Sequence, residues 1–203
     1  MPNERLDYLI RKARLEERDE IQKLILESAR HLSREHYTKT QIEAAIKAVF
    51  GVDTSLILDG TYFVAECDGT LVGCGGWSRR RTLFGGDQFS NRDTNELDPR
   101  TEAAKIRAFF IHPNFARQGI ARAILARCES EARANGFRSL ELMSTLPGIK
   151  LYEACGYEKA EPIEYEVDGV IIGFVAMRKA GLWTTDDVRQ NDPMVLLKPN
   201  NRT

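Results

Sequence analysis

Tryptophan, histidine and proline are scarce in this 203-residue chain, with two, three and seven copies, and neither sign of charge dominates: 29 Lys and Arg face 30 Asp and Glu. A balanced charge leaves no net field to hold a polyanion or to draw the chain onto an anionic lipid surface, so neither nucleic acid nor membrane is an expected partner. No apolar run approaches the roughly 18 residues of a membrane span, and the polar start Met1 to Asp7 lacks the apolar stretch of an export signal. The four cysteines, Cys67, Cys74, Cys128 and Cys155, form no CxxC pair and have no histidine at metal-ligand spacing. No metal site or redox dithiol is therefore expected, and reduced thiols suit a cytoplasmic location.

What is present is enough apolar residue, 42% of the chain, for one domain with a substantial core, expected over residues 1–180 with a polar tail over 181–203. A short strand near Tyr8 to Ala13 precedes a helix whose stripe is Ile21, Leu24, Ile25 and Ser28, behind the acidic start Glu16, Glu17, Asp19 and Glu20. Ile42, Ala45, Ile46 and Val49 repeat the helical spacing, with Thr38 or Thr40 as candidate caps and Gly51 as the expected stop. Thr61 to Glu66 and Thr70 to Ser78 read as strands joined at Asp68-Gly69, the dipeptide of a tight hairpin. Residues 79–100 are polar and too long for a simple connection, which predicts a functional flap or a mobile insertion.

Lys105 to Ile111 reads as a buried strand broken at His112-Pro113, and Ile120, Ile124, Cys128 and Ala132 mark one face of a helix ended by Asn135-Gly136. A strand around Leu140 and Leu142 and a short helix from about Gly148 to Cys155 complete a βαβ unit with parallel strands. Glu158 to Val167, Asp168-Gly169 and Val170 to Met177 form a closing hairpin.

The chemistry-bearing segment is Ala116-Arg117-Gln118-Gly119-Ile120-Ala121-Arg122, at the junction of the buried strand and the next helix. Small residues at 119 and 121 let a ligand approach the first backbone amides, and the helix dipole favours an anion there. A plain glycine-containing helix start is the other reading. The segment is neither a Walker loop nor a dinucleotide fingerprint, lacking both GxxxxGK[ST] and GxGxxG.

Together with Ile106-Arg107-Ala108-Phe109-Phe110-Ile111-His112-Pro113 before it and Leu151-Tyr152-Glu153-Ala154-Cys155-Gly156-Tyr157 after it, the segment resembles the consecutive signature motifs of the GNAT acetyltransferases. The resemblance fits the element order from Tyr8 to Lys179. It implies an α+β fold with a splayed, mixed sheet of about seven strands and acetyl-CoA, as co-substrate, between two central parallel strands. The family's pyrophosphate pattern, (Arg/Gln)-x-x-Gly-x-(Gly/Ala), is matched at Gly119 and Ala121 but begins on Ala116, a departure in a side chain where backbone amides make the cradle. By resemblance the pyrophosphate contacts are Arg117, Gln118, Gly119, Ala121 and Arg122. The strand residues Phe109, Phe110 and Ile111 would line the pantetheine, with the Phe109 amide facing the thioester oxygen.

Tyr152 matches the family's tyrosine that protonates the departing thiolate, against a purely structural packing role. Where some relatives carry a basic carboxylate on the central strand this chain has Lys105, which leaves Glu102, Glu66, His31 and His112 as candidates, each with a structural alternative. Strand alternation puts Trp77, Arg79 and Arg81 on one face, where a guanidinium could hold an acceptor carboxylate or merely end a solvated strand. The implied activity is acetyl transfer to a primary amine, in all expectation a small molecule, by direct attack in a ternary complex. A catalytically silent acetyl-CoA-binding sensor is the alternative, and whether the chain pairs into a homodimer is left open.

Overall fold

A computed structural model describes residues 7–181, so that of the expected tail over 181–203 only Gly181 falls within the described residues. The short edge strand β1 (Leu9–Lys12) leads through a 3-10 turn into α1 (Arg18–Leu32). Asp19 and Glu20 in the first turn of α1 and Arg30 and His31 in its last complement the helix dipole, while Ile21, Leu24, Ile25, Ser28 and Ala29 are buried. In α2 (Lys39–Ala48) Thr38 is the cap: its hydroxyl accepts from the Gln41 amide and the Gln41 side chain accepts from the Thr38 amide. Thr38→Ala is expected to cost about 1 kcal/mol, read as a lower urea midpoint at unchanged slope.

The helix ends at Ala48, ahead of the stop expected at Gly51. Gly51 serves close approach instead: a Cβ there would sit 2.4 Å from Gln88 Oε1, and one on Gly86 would sit 2.7 Å from the Gly51 carbonyl oxygen. A further helix, α3 (Thr54–Leu58), was not expected, because five residues show no helical period; its one signal is Asp53 as cap, accepting from the Ser55 amide.

The strands β2 (Tyr62–Cys67) and β3 (Thr70–Ser78) turn at Asp68 and Gly69, both with positive φ, as a two-residue hairpin of this chemistry requires. The remaining elements are β4 (Ala104–Ile111), α4 (Ile120–Ala134), β5 (Ser139–Thr145), α5 (Ile149–Glu153), β6 (Glu158–Val167) and β7 (Val170–Ala180). They complete a seven-stranded sheet in the order β1-β2-β3-β4-β5-β7-β6, antiparallel throughout except for β4 against β5. One core lies between the sheet and α1, α2 and α3, the other between the sheet and α4. This is the expected α+β architecture. Among the described residues no helix is long and apolar enough to cross a membrane, and no group of three or more His, Cys, Asp or Glu could hold a metal ion.

Two features position the site. First, β4 and β5 pair only at Ala104 with Leu140, Lys105 with Glu141 and Ile106 with Leu142. Beyond that β5 follows β7 and β4 follows β3, so the central strands splay. The departure coincides with a bulge in β4 at Ala108, whose φ of +55° is a strained value for an alanine, of order 1–3 kcal/mol. The Tyr62 hydroxyl holds it by donating to the Ala108 carbonyl at 3.1 Å, and only glycine fits opposite, since a Cβ on Gly75 would lie 2.8 Å from the Phe109 ring.

Second, residues 79–100 are docked, which corrects the reading of a mobile insertion. Arg80 grips Asp59 with two bonds of 2.8 Å, Thr82 bonds to Asp93, and Phe84 and Phe89 pack on Tyr165 of β6, Phe84 also on Phe174 of β7. Beneath this segment Asp53 is bracketed by Arg92 Nη2 at 2.8 Å and Arg107 Nη2 at 2.7 Å.

Candidate active site

After β4 the chain passes a 3-10 turn at Pro113–Phe115 and reaches α4 with two left-handed residues, Arg117 (φ +66°) and Gly119 (φ +87°). The turn is braced by His112 Nδ1, which accepts from the Asn114 amide at 3.2 Å, and by Gln118 Nε2, which donates to the Asn114 carbonyl at 3.2 Å. Gly119 is the N-cap of α4 and offers no side-chain acceptor, and the first turn holds no acidic residue. The leading amides of this 15-residue helix therefore lack the partner that Thr38 supplies to α2. A Cβ on Gly119 would meet nothing within 4 Å, so the space ahead of the helix is open. Positive dipole end, free amides and open room suit a diphosphate, and the structure gathers Arg117, Gln118, Gly119, Ala121 and Arg122 at this one terminus.

The same terminus stands at the mouth of the splay. His112 donates its amide to the Val72 carbonyl, on the β3 side of the strand. Alternation then turns the Phe110 amide to β3 as well and the Phe109 and Ile111 amides to the side where the β5 ladder has ended. Phe110 sends its ring against Phe50 on the α1 and α2 face, with centroids 5.6 Å apart, so neither its amide nor its ring is placed like those of its two neighbours. The Ile111 amide donates to Ser28 Oγ of α1 at 3.1 Å. Ser28 lay in the sequence as one polar residue in an apolar stripe, which was the signal for such a role. Tyr37, which the sequence did not single out, closes the far wall: its hydroxyl donates to the Gly173 carbonyl at 2.7 Å and accepts from the Leu146 amide at 2.9 Å.

Tyr152, on α5, is 7% exposed and presents its ring edge to Phe109, with centroids 6.3 Å apart. Ser144 and Gly148 adjoin it, and a Cβ on Gly148 would come within 3.3 Å of its ring. Burial is the main cause raising its phenol above the usual range, with Cys128 and Cys155 adding to it, so the hydroxyl stays protonated.

Other expected site residues lie elsewhere. Glu102 precedes Phe109 by seven residues, about 20 Å along a strand, at the closed end of the β4 and β5 pair. There it accepts from the Asp98 amide at 2.8 Å and pairs with Arg81 at 2.6 Å, which rules it out as a base at the splay. Glu66 pairs with Arg11 on the edge of the sheet, and His31 is exposed with its Nδ1 on the Glu27 carbonyl. His112 stands at the mouth, its Nε2 3.3 Å from Glu27. Trp77 is only 2% exposed and packs on Phe137 in the core beneath α4, so it cannot contact an acceptor. Arg79 is shared between Asp59 and Glu96 and Arg81 is taken by Glu102, so both guanidiniums already have carboxylates. The expectation of an acceptor site at Trp77, Arg79 and Arg81 is thereby corrected. Strand alternation does not extend to the two arginines, because β3 ends at Ser78.

Comparison with known proteins bears on the family and the fold. The sequence model of the acetyltransferase (GNAT) family matches residues 19–157. A GCN5-related N-acetyltransferase from Rhodopseudomonas palustris is similar with a TM-score of 0.63 at 16% identity, over 85% of this chain and 94% of that one. PaiA N-acetyltransferase from Thermoplasma acidophilum, solved with coenzyme A, is similar with a TM-score of 0.58 at 16% identity, over 86% and 99% of the two chains. For yncA from Salmonella typhimurium, solved with its cofactor acetyl-CoA, the TM-score is 0.56 at 17% identity, over 85% and 93%. At these identities the likeness is one of fold. No match is found among curated proteins.

Proposed function

Because this chain belongs to the acetyltransferase (GNAT) family, whose model spans most of its length, we propose that it moves an acetyl group from acetyl-CoA to the primary amine of a small molecule by direct attack in a ternary complex. The observation that carries this reading is one juxtaposition: an uncapped α4 N-terminus at the mouth of the β4 and β5 splay, with Tyr152 set against Phe109 inside it. Acetyl-CoA supplies the activated acyl group. The amides at Gly119, Ala121 and Arg122 hold its diphosphate, and the Phe109 amide, aimed into the opening, donates to the thioester oxygen as it gains charge. One such fixed donor lowers a barrier by roughly 3 to 4 kcal/mol. The Tyr152 hydroxyl then delivers its proton to the departing sulfur.

Direct attack is favoured over an acetyl-cysteine intermediate because burial pushes the Cys155 thiol up, away from the thiolate a nucleophile requires. A small acceptor is favoured because the docked segment carrying Phe84 and Phe89 roofs the α1 and α2 face.

Gly119→Val is expected to raise the KM for acetyl-CoA roughly 10-fold with little change in kcat. A β-branched residue resists positive φ and its methyls enter the space a phosphate would use. The decisive experiment is release of free CoA thiol from acetyl-CoA across amino acids, polyamines, aminoglycosides and lysine peptides. Amine-dependent release that falls in Tyr152→Phe establishes the activity. Calorimetric binding of acetyl-CoA with silence across the panel would favour a binding module instead.

A further inference from the structure

Two guanidiniums and one carboxylate meet beneath the docked segment 79–100, and their charges do not cancel. Asp53 is 0% exposed and Arg107 4%. Arg92 donates to Asp53 Oδ1 and to the Gly86 carbonyl, each at 2.8 Å. Arg107 Nη2 donates to the Gly85 carbonyl at 2.6 Å and lies 2.7 Å from Asp53 Oδ2. That second contact is attraction without hydrogen-bond alignment, since Asp53 Oδ2 is left with no hydrogen-bond donor, and Arg107 Nε is likewise buried with no partner. The next carboxylate, Asp87, is engaged by Thr54 and Arg18. Within hydrogen-bond reach the cluster thus holds two guanidiniums to one carboxylate and keeps one N–H donor without a partner in a dry place, an arrangement that costs stability unless an anion completes it.

The position of Arg107 says which anion. It belongs to β4, one residue before the bulge at Ala108 and two before Phe109. Ile106 lies in the core under α4 while Ala108 and Phe110 border the other core, so Arg107 leaves the strand on the α1 and α2 face. That is the face opposite the α4 terminus and the one left to an acceptor. Phe84, Phe89, Tyr165 and Phe174 pack on one another beside this cluster, so the guanidinium is the polar group at the edge of an aromatic patch. Arg79 and Arg81 lie away from this cluster, Arg79 between Asp59 and Glu96 and Arg81 on Glu102 at the closed end of the β4 and β5 pair.

We propose that Arg107 is the acceptor-recognition residue and that the acceptor is a small primary amine bearing a carboxylate, whose oxygens replace the Gly85 carbonyl on the guanidinium while its amine meets the thioester at Phe109. The proposal rests on the acetyl-transfer reading above. The turn at Gly85 and Gly86, with Gly85 at φ +96°, is where the docked segment yields its carbonyl. The fork geometry of arginine matches a carboxylate, and the excess charge favours an anionic acceptor over a plain amine.

The test compares matched pairs: phenylalanine with phenethylamine, β-alanine with ethylamine, and γ-aminobutyrate with propylamine. Each is measured by CoA-thiol release and by calorimetry on the protein with CoA bound. In wild type the carboxylated member of at least one pair is expected to bind or react with a KM or Kd roughly 10- to 100-fold lower. In Arg107→Gln that ratio falls toward one, and Arg107→Lys, which keeps the charge but not the fork, falls between. Arg80→Gln loosens the segment at Asp59 without touching Arg107 or Asp53 and should move both members of a pair alike. A wild type that favours the plain amines, or an Arg107→Gln variant that loses both members equally, would show that Arg107 only braces the docked segment. If no amine releases CoA thiol, the acetyl-transfer reading fails on its own, and the calorimetric ratio alone decides the role of Arg107.

Discussion

Tyr152→Phe is expected to lower kcat by roughly 100-fold or more while leaving the KM for acetyl-CoA within about a factor of three, in the range a positioned general acid supplies. The phenyl ring keeps the packing on Phe109 and on Tyr157, whose centroid is 5.7 Å away, so the change removes the hydroxyl and little else. A phenol raised by burial looks too weak an acid for a thiolate whose conjugate acid lies near 8.5 in water. The leaving sulfur is not in water. Burial raises the pKa of a thiol as it raises that of a phenol, and within this fold it pushes the Cys74 thiol up to about 12. A sulfur that leaves inside a dry cleft would be displaced in the same direction as the phenol. Because the Tyr152 phenol is raised, kcat should show no loss from its ionisation up to about pH 9.5. A steady-state pH profile of wild type and variant checks both points. An unchanged kcat in Tyr152→Phe would reduce the residue to a packing role.

The second large effect is on stability. Asp53→Asn is expected to destabilise the protein by about 3 to 5 kcal/mol, which at this size lowers Tm by about 10 °C. Asparagine keeps the shape and caps a helix as well as aspartate does, so α3 is retained and the loss reports charge alone. What it leaves is two guanidiniums, Arg92 and Arg107, facing each other without their shared counter-ion. Arg81→Ala is the contrast: its pair with Glu102 sits at the surface, where solvent screens the attraction, and its loss should cost no more than about 1 kcal/mol. Thermal unfolding of the two variants beside wild type separates the cases, and equal shifts would mean that the buried cluster is solvated after all. The same measurement bears on the site, since Asp53 holds both the docked segment and Arg107.

Much of this architecture could be read from residue order because the signals were local. Asp68-Gly69 and Asp168-Gly169 carry their own backbone geometry, and the stripe Ile120, Ile124, Cys128 and Ala132 is buried as its period requires. The helix α3 escaped because five residues are shorter than the period that would reveal them. The docking of residues 79–100 escaped because it depends on contacts between Phe84, Phe89, Tyr165 and Phe174, which lie up to 90 residues apart. The uncapped terminus of α4 was legible for the same reason as the turns: a strand end, a glycine and a helix start are consecutive.

Charged side chains behaved differently. Glu102, Arg79 and Arg81 looked available in the sequence, and each is consumed by a partner that only folding brings near. Arg107 passed unremarked inside a motif, and it has to share its one carboxylate, Asp53, with Arg92. The sequence by itself determined the order of the strands and longer helices, the family and the uncapped helix terminus at Gly119, because those rest on hydrogen bonds and dipoles between neighbours along the chain. Only the tertiary structure decided which charges are spent and which remain, because ion pairing depends on distance in space, and a carboxylate's partner can come from any strand or loop that packs against it.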